Sequence, residues 1–232
     1  MKLFVLFAFL VSVPSVFAQY KNESSLSVVI TGGNTETELY NGKTKNSYKA
    51  GKNSFSLGGH YMYGTNQGVE SARNWDLNSR YEREVKKDYG IFTGLIYEAD
   101  DFANIDYRIN ADLGLSYHIF TEERLTSKVE LGYRYREEKS LAGTTLDQHQ
   151  GRVYGEIERY SKSKEFSSSL WIEYLPNFTD GDDWQLNFEP GINYNINSSL
   201  ALKWGYLGKY DNQPVAPRKF DFIYTTSLIA KF

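Results

Sequence analysis

The chain has no cysteine among its 232 residues. That excludes a disulfide framework, a thiolate metal site and a cysteine nucleophile. Histidine is scarce as well, with only His60, His118 and His149 available as bases or ligands. Positive charge is not in excess: the formal net charge is −3, and it becomes −4 if Lys2 is removed with a leader segment. A chain so balanced lacks the basic footprint of a nucleic-acid binder. Proline occurs five times, scattered, and no low-complexity tract or linker divides the sequence, so a single domain is expected. Beyond the first residues there is no apolar run long enough for a membrane helix, and the mean hydropathy is −0.53. Such a value ordinarily marks a soluble protein. Membrane barrels share it, because their lipid-facing residues are diluted by lumen-facing ones.

What is present is alternation. Tyr107, Ile109, Ala111, Leu113, Leu115, Tyr117 and Ile119 are interleaved with Asp106, Arg108, Asn110, Asp112, Gly114, Ser116 and His118. Then Leu125, Ser127, Val129, Leu131, Tyr133 and Tyr135 are interleaved with Arg124, Thr126, Lys128, Glu130, Gly132, Arg134 and Arg136. A period of two sends successive side chains to opposite faces of a sheet. One face here is apolar and the other charged, over strands far longer than usual. The pattern suits a barrel whose outside meets lipid and whose inside meets water.

Turn signals divide the chain into about twelve strands, near 24–31, 36–49, 53–63, 73–83, 88–99, 105–120, 124–137, 147–160, 165–175, 184–195, 199–210 and 220–232. The expected fold is all-β: a single transmembrane, antiparallel, up-and-down β-barrel occupying 19–232. Short polar connections alternate with mostly longer ones such as 64–72, 138–146, 176–183 and 211–219. That matches short periplasmic turns and longer outer loops. Tyr107 and Tyr117 share the apolar face ten residues apart. This spacing is about 23 Å along the membrane normal for a strand tilted near 45°. A secreted calycin-like barrel or a sheet sandwich are the soluble alternatives, but neither accounts for twelve strands.

Met1-Lys2, an apolar run from Leu3 to Val13 and small residues ending at Ala18 read as a secretory signal peptide spanning 1–18, cleaved between Ala18 and Gln19. A membrane helix is the alternative, but the run is short and stops at Pro14. At the other end Tyr224, Thr226, Leu228, Ala230 and Phe232 share one face. A terminal aromatic in that register looks like the assembly signal of bacterial outer-membrane barrels, with Tyr224, Leu228 and Phe232 as its core. The expected location is therefore the outer membrane of a Gram-negative bacterium. The expected partners are outer-membrane lipid, lipopolysaccharide, the barrel-assembly machinery during insertion and a small solute or ion, with no cofactor.

The inward set is Asp76, Arg80, Glu98, Arg108, Asp112, Lys128, Glu130, Arg134, Arg152, Glu156, Glu173, Glu189 and Lys203. Its signs are mixed, so pairing across neighbouring strands is expected rather than a one-sign track, and no basic ladder stands out. Gly58, Gly94, Gly114, Gly132, Gly191 and Gly205 also point inward, giving either curvature and room for neighbouring Arg and Tyr, or an open lumen. No catalytic residue is expected. Of the histidines only His60 is placed to serve a lipid hydrolase, and only if a serine hydroxyl lies within hydrogen-bond reach. The carboxylates of Thr179-Asp180-Gly181-Asp182-Asp183 lack EF-hand spacing. They read as a solvated loop, or one bridged through divalent ions to lipopolysaccharide. The sequons at Asn22 and Asn197 carry no meaning in a bacterial envelope.

Several strings, in order along the chain, resemble the salt-induced outer-membrane protein family, a family of unknown function also described as YdiY-like. They are Thr31-Gly32-Gly33-Asn34-Thr35-Glu36-Thr37, Tyr61-Met62-Tyr63-Gly64, Phe102-Ala103-Asn104-Ile105-Asp106-Tyr107-Arg108, Gly114-Leu115-Ser116-Tyr117, Glu130-Leu131-Gly132-Tyr133-Arg134 and Leu175-Pro176. The family has Ser or Thr where this chain has Gly32, and Gly where it has Asn104. The resemblance implies an outer-membrane barrel with a possible link to salt or osmotic stress, and it carries over no substrate or catalytic residue. The expected activity is passive, weakly selective passage of small solutes or ions. A closed structural or surface-interaction barrel is the alternative, and a lipid hydrolase the more distant one.

Overall fold

The computed structural model describes residues 19–31, 36–214 and 218–232. The predicted signal peptide and most of the first loop string, Gly32 to Thr35, lie outside the described residues. Twelve antiparallel strands close into one barrel, each paired with its neighbours in sequence and β1 with β12. They are β1 (Gln19–Thr31), β2 (Thr37–Ala50), β3 (Asn53–Asn66), β4 (Val69–Lys86), β5 (Tyr89–Asp100), β6 (Ile105–Glu122), β7 (Leu125–Ser140), β8 (Thr145–Tyr160), β9 (Phe166–Pro176), β10 (Trp184–Asn195), β11 (Leu200–Asp211) and β12 (Phe220–Lys231).

The distribution of polarity is inverted relative to a water-soluble protein. Leu113, Leu131 and Leu115 on the outer face are 64%, 65% and 61% exposed, while Glu130, Arg134 and Gln150 inside are 3%, 5% and 0% exposed. An outer surface of this kind is stable against lipid and unfavourable in water. Aromatic residues band that surface at two levels. Tyr20, Tyr48, Phe55 and Tyr81 are successive register partners from β1 to β4. Tyr89 packs on Tyr117 and Phe166 on Tyr194, with centroids 4.6 and 4.9 Å apart, toward the same end. At the opposite level Trp75, Tyr97 and Tyr107 form one chain of ring contacts and Tyr174, Trp184 and Tyr210 another. These bands are the girdles expected where amphipathic rings meet headgroups.

Strand lengths and one class of loop depart from the sequence reading. The segment 64–72, expected as a long outer loop, is a continuation of β3 and β4 around the two-residue turn Gln67-Gly68. Both turn residues have positive φ, +50° and +74°, the conformation whose twist matches a hairpin. The 138–146 loop similarly shrinks, because β7 runs on to Ser140 and β8 begins at Thr145. Strand β1 begins at Gln19 rather than near residue 24. At the two hairpins the strands extend past the apolar band, and in β1 the outward Asn22 and Ser24 interrupt the apolar row, so alternation gives no signal.

The β1–β12 seam has the shortest ladder of the barrel. Paired residues run only from Glu23↔Lys231 to Leu26↔Leu228, whereas β1 pairs with β2 along its whole length. Phe232 extends this seam: its N–H donates to Asn22 O at 3.0 Å, and its carbonyl accepts from Asn22 N at 2.8 Å. Deleting Phe232 removes both bonds and should lower barrel stability by about 1–3 kcal/mol. A fall in the temperature at which the barrel loses its compact mobility on denaturing gels is the readout.

Candidate functional site: a lumen with a packed wall and an open wall

Several of the charged positions singled out above meet across the barrel interior. Arg80 on β4 reaches Glu130 on β7 at 2.8 Å, past two intervening strands. Arg134 on β7 meets Glu173 on β9 at 3.4 Å. Arg136, also on β7, donates to Gln185 Oε1 on β10 at 3.1 Å. Strands that are not neighbours in a sheet can touch only through the interior.

Glu130 is the centre of the densest part. Its two oxygens accept from Arg80, from Lys128 Nζ at 2.8 Å and from Arg152 Nη1 at 2.5 Å. Arg152 also donates to Glu173 at 2.6 Å. Arg134 grips Asp112 in a two-pronged pair, Nε to Oδ1 at 2.7 Å and Nη2 to Oδ2 at 2.8 Å. Bidentate geometry of this kind is what makes a desolvated ion pair tolerable. Glu82 accepts from Arg80 at 2.9 Å and from Ser116 Oγ at 2.5 Å. A second cluster sits nearer the outer rim, where Arg108 bridges Glu98 at 3.1 Å and Glu138 at 2.6 Å. Glu156 is the loosest member, 3.4 Å from Lys128 with its side chain 44% exposed.

Sequence reasoning missed the residue that organises this packing. Phe92 points inward from β5 and is 1% exposed. The Arg80 guanidinium lies 3.9 Å from its ring centroid and that of Arg152 at 5.7 Å, so the ring is clamped by two cations. Gly114 and Gly132 make room for it: a Cβ at Gly114 would stand 2.7 Å from Phe92 Cζ and 2.6 Å from Leu131 O. The mid-strand glycines thus give room to Phe92 at Gly114 and Gly132, to Asn78 at Gly58, and to Ser169, Thr225 and Lys203 around Gly191 and Gly205, rather than to Arg and Tyr. Asn110, Arg136, Gln148 and Gln150 are further buried lumen residues that the sequence reading left aside. The phase of the alternation places Phe92 inside, opposite two glycines, and that was the available signal.

The packing is one-sided. It draws on β4 to β9, and the inward residues of β2 and β11 are different in kind. Lys43, Lys45 and Lys209 point into the barrel, yet they are exposed, so they border open lumen. None of the three makes an ion pair among the described residues. Lys203 does, with Glu189 at 2.5 Å.

The histidines are dispersed. His60 sits in the lumen with Nε2 3.1 Å from Asn41 Oδ1 and Nδ1 3.3 Å from Asp76 Oδ2, so both ring nitrogens are engaged and neither by a serine. His118 lies 3.6 Å from Glu82, and His149 is on the outer face against Tyr133 and Tyr135. Among the described residues no group of three or more His, Asp or Glu is arranged to hold a metal ion. The acidic loop turns one carboxylate inward: Asp183 accepts from Gln148 at 2.7 Å and Asn177 at 3.0 Å. Burial pushes that carboxyl above its ordinary value, against the pull of those two donors.

Two pairs of substitutions test this architecture. Glu130→Gln leaves three cations without their shared counter-charge and should cost about 3–5 kcal/mol, while Glu156→Gln should cost about 0–1 kcal/mol. Urea unfolding in lipid vesicles resolves the two. Gly114→Ala should destabilise by about 1–3 kcal/mol through overpacking against Phe92 and backbone. Gly155→Ala, whose nearest neighbour would be Val129 at 4.0 Å, should be near neutral in the same assay.

The fold is shared with outer-membrane channels and porins. The chain is similar to the COG4313 outer membrane channel from Pseudomonas putida F1, with a TM-score of 0.55 and 10% identity over 98% of this chain and 100% of that one. It is also similar to the NanC porin, with a TM-score of 0.52 and 13% identity over 92% and 98% of the two chains. At these identities the likeness concerns the barrel alone. No curated protein matches the sequence. The family model of DUF481, proteins of unknown function, matches residues 24–232, and the chain belongs to that family.

Proposed function

We propose that the protein is a non-enzymatic channel of the outer membrane that passes small solutes or ions passively. The observation that carries this reading is the one-sided lumen. The cross-lumen network is buried against β4 to β9, while Lys43 and Lys45 on β2 and Lys209 on β11 remain exposed. A rigid, neutralised half braces the wall, and the other half leaves a passage. Selectivity of such a passage follows from the charges that line it. The inverted polarity and the two aromatic bands support a position spanning a bilayer. The signal peptide, the Tyr224–Leu228–Phe232 assembly signal and contacts with lipopolysaccharide and the assembly machinery belong to the same reading. So does a part in salt or osmotic stress, which rests on the family resemblance.

A closed structural barrel is the second reading, favoured by how completely Glu130, Arg134 and Arg152 are buried. A lipid hydrolase has less support, since His60 faces Asn41 and Asp76 rather than a hydroxyl. Single-channel recording of the refolded protein in a planar bilayer separates the readings. Stable steps of reproducible size are expected, and Arg134→Ala should enlarge or destabilise them by loosening the packed wall. A folded but silent barrel would turn the assignment to the structural reading.

A further inference from the structure

The ladder that closes the barrel stops part-way toward the outer rim. Pairing of β1 with β12 ends at Leu26↔Leu228, and beyond it no further pair joins the two strands among the described residues. Each strand keeps its other neighbour: β1 stays on β2 past Ile30↔Glu38, and β12 stays on β11 up to Phe220↔Tyr210. The two hydrogen bonds between Asn22 and Phe232 fix which backbone groups point across the seam. They belong to every second residue, so those of Val28 and Ile30 on β1 and of Phe222, Tyr224 and Thr226 on β12 face a gap. The rings of β12 are turned away from it. Phe222 and Tyr224 pack on Tyr206 with centroids 5.8 and 4.8 Å apart, and Phe220 lies 6.4 Å from Phe188. None of these contacts crosses to β1.

The side chains along the gap are apolar on both faces. Toward lipid stand Val28, Ile30, Phe222 and Tyr224, all exposed. Toward the lumen stand Val29 and Leu39, register partners on one side, and Leu207 and Ile223, register partners on the other. Val29 is 44% exposed, whereas Phe92 and Leu175, inward apolar residues of the packed wall, are each 1% exposed. Two residues nearer the rim, Lys209 and Asp221 are register partners that face inward and are exposed. A wholly polar solute in the gap would meet apolar side chains on both faces. A wholly apolar one would leave the strand edges without hydrogen bonds inside the hydrocarbon layer. A molecule with an apolar chain and a polar head suits both. We infer that the seam is a lateral opening between the lumen and the outer leaflet that admits single-chain amphipathic molecules. The chain lies along Val29, Leu39, Leu207 and Ile223, and a zwitterionic or uncharged head lies toward Lys209 and Asp221. This goes beyond passage through the barrel ends, and of the reading above it uses only the position spanning a bilayer.

The test is photolabelling of the refolded mature chain in phosphatidylcholine vesicles with a dodecylphosphocholine that carries a diazirine in its chain. Mass spectrometry should find label on lumen-facing Val29, Leu39, Leu207 or Ile223 as well as on lipid-facing Leu113 and Leu131. The double variant Val29→Cys/Thr225→Cys closes the gap, because a continued ladder would set these positions about 4.5 Å apart between Cα atoms, within disulfide range. The chain has no other cysteine. Oxidation should remove the lumen label and reduction should restore it, with label on Leu113 and Leu131 unchanged. A second variant, Leu207→Asn/Ile223→Asn, keeps the gap and removes the apolar lining on one side. It should cut lumen labelling by roughly 10-fold or more through lost apolar contact. Heat-dependent gel mobility confirms that each variant folds. Lumen label that survives both the disulfide and the asparagine pair means entry through the barrel ends and overturns the inference. So does a folded wild-type barrel labelled on its lipid face alone. Neither result bears on the channel reading, which stands or falls on single-channel steps.

Discussion

Everything in this molecule depends on the requirement that each backbone N–H and C=O within a hydrocarbon layer find a partner in the protein itself. Twelve strands meet it by pairing in sequence and closing β12 onto β1. Closure then fixes the side chains. Along every strand alternate residues are committed to lipid or to the lumen, and the sequence has no freedom to mix them. The seam is where the requirement is met with least margin, since its ladder spans few residues and uses the terminal Phe232 as a final pair.

The interior follows from the same commitment. A barrel this size encloses more volume than its inward side chains fill with apolar atoms, so polar and charged groups occupy it and must be paired. Glu130 gathers three cations, Asp112 takes the fork of Arg134, and Phe92 supplies the apolar wedge that two guanidinium groups flank. The glycines at 114 and 132 belong to this design as space for the ring. Packing the network to one side means that the rest of the lumen need not be filled, and the unpaired lysines stand there.

The fold was legible because lipid imposes so strict a rule. Tyr107 to Ile119 and Leu125 to Tyr135 alternate without a break, and no soluble architecture needs that over such length. Legibility ended where the lipid ends. Residues 64–72 pass through solvent on both faces, so the continued strand and its Gln67-Gly68 turn left only a loop-like composition. The beginning of β1 was hidden for another reason: Asn22 and Ser24 on its outer face are polar and bond to Asn46 and Thr44 rather than displaying an apolar row.

The site was legible in part, for a different reason. Alternation says that Lys43, Glu130 and Lys209 all point inward, but it cannot say which meet. Contacts such as Arg80 to Glu130 join strands three apart, and their formation depends on how far the strands are staggered around the barrel. Stagger is a property of the whole closed sheet, so a charge count from sequence gives mixed signs and suggests neutrality. Once the partners are known, the densest pairing is seen to lie on β4 to β9, with one further pair between Lys203 and Glu189. The charges outside the network are of both signs, with Glu23 the register partner of Lys45 and Asp221 that of Lys209, so the field inside depends on where each stands along the barrel and not on the average composition.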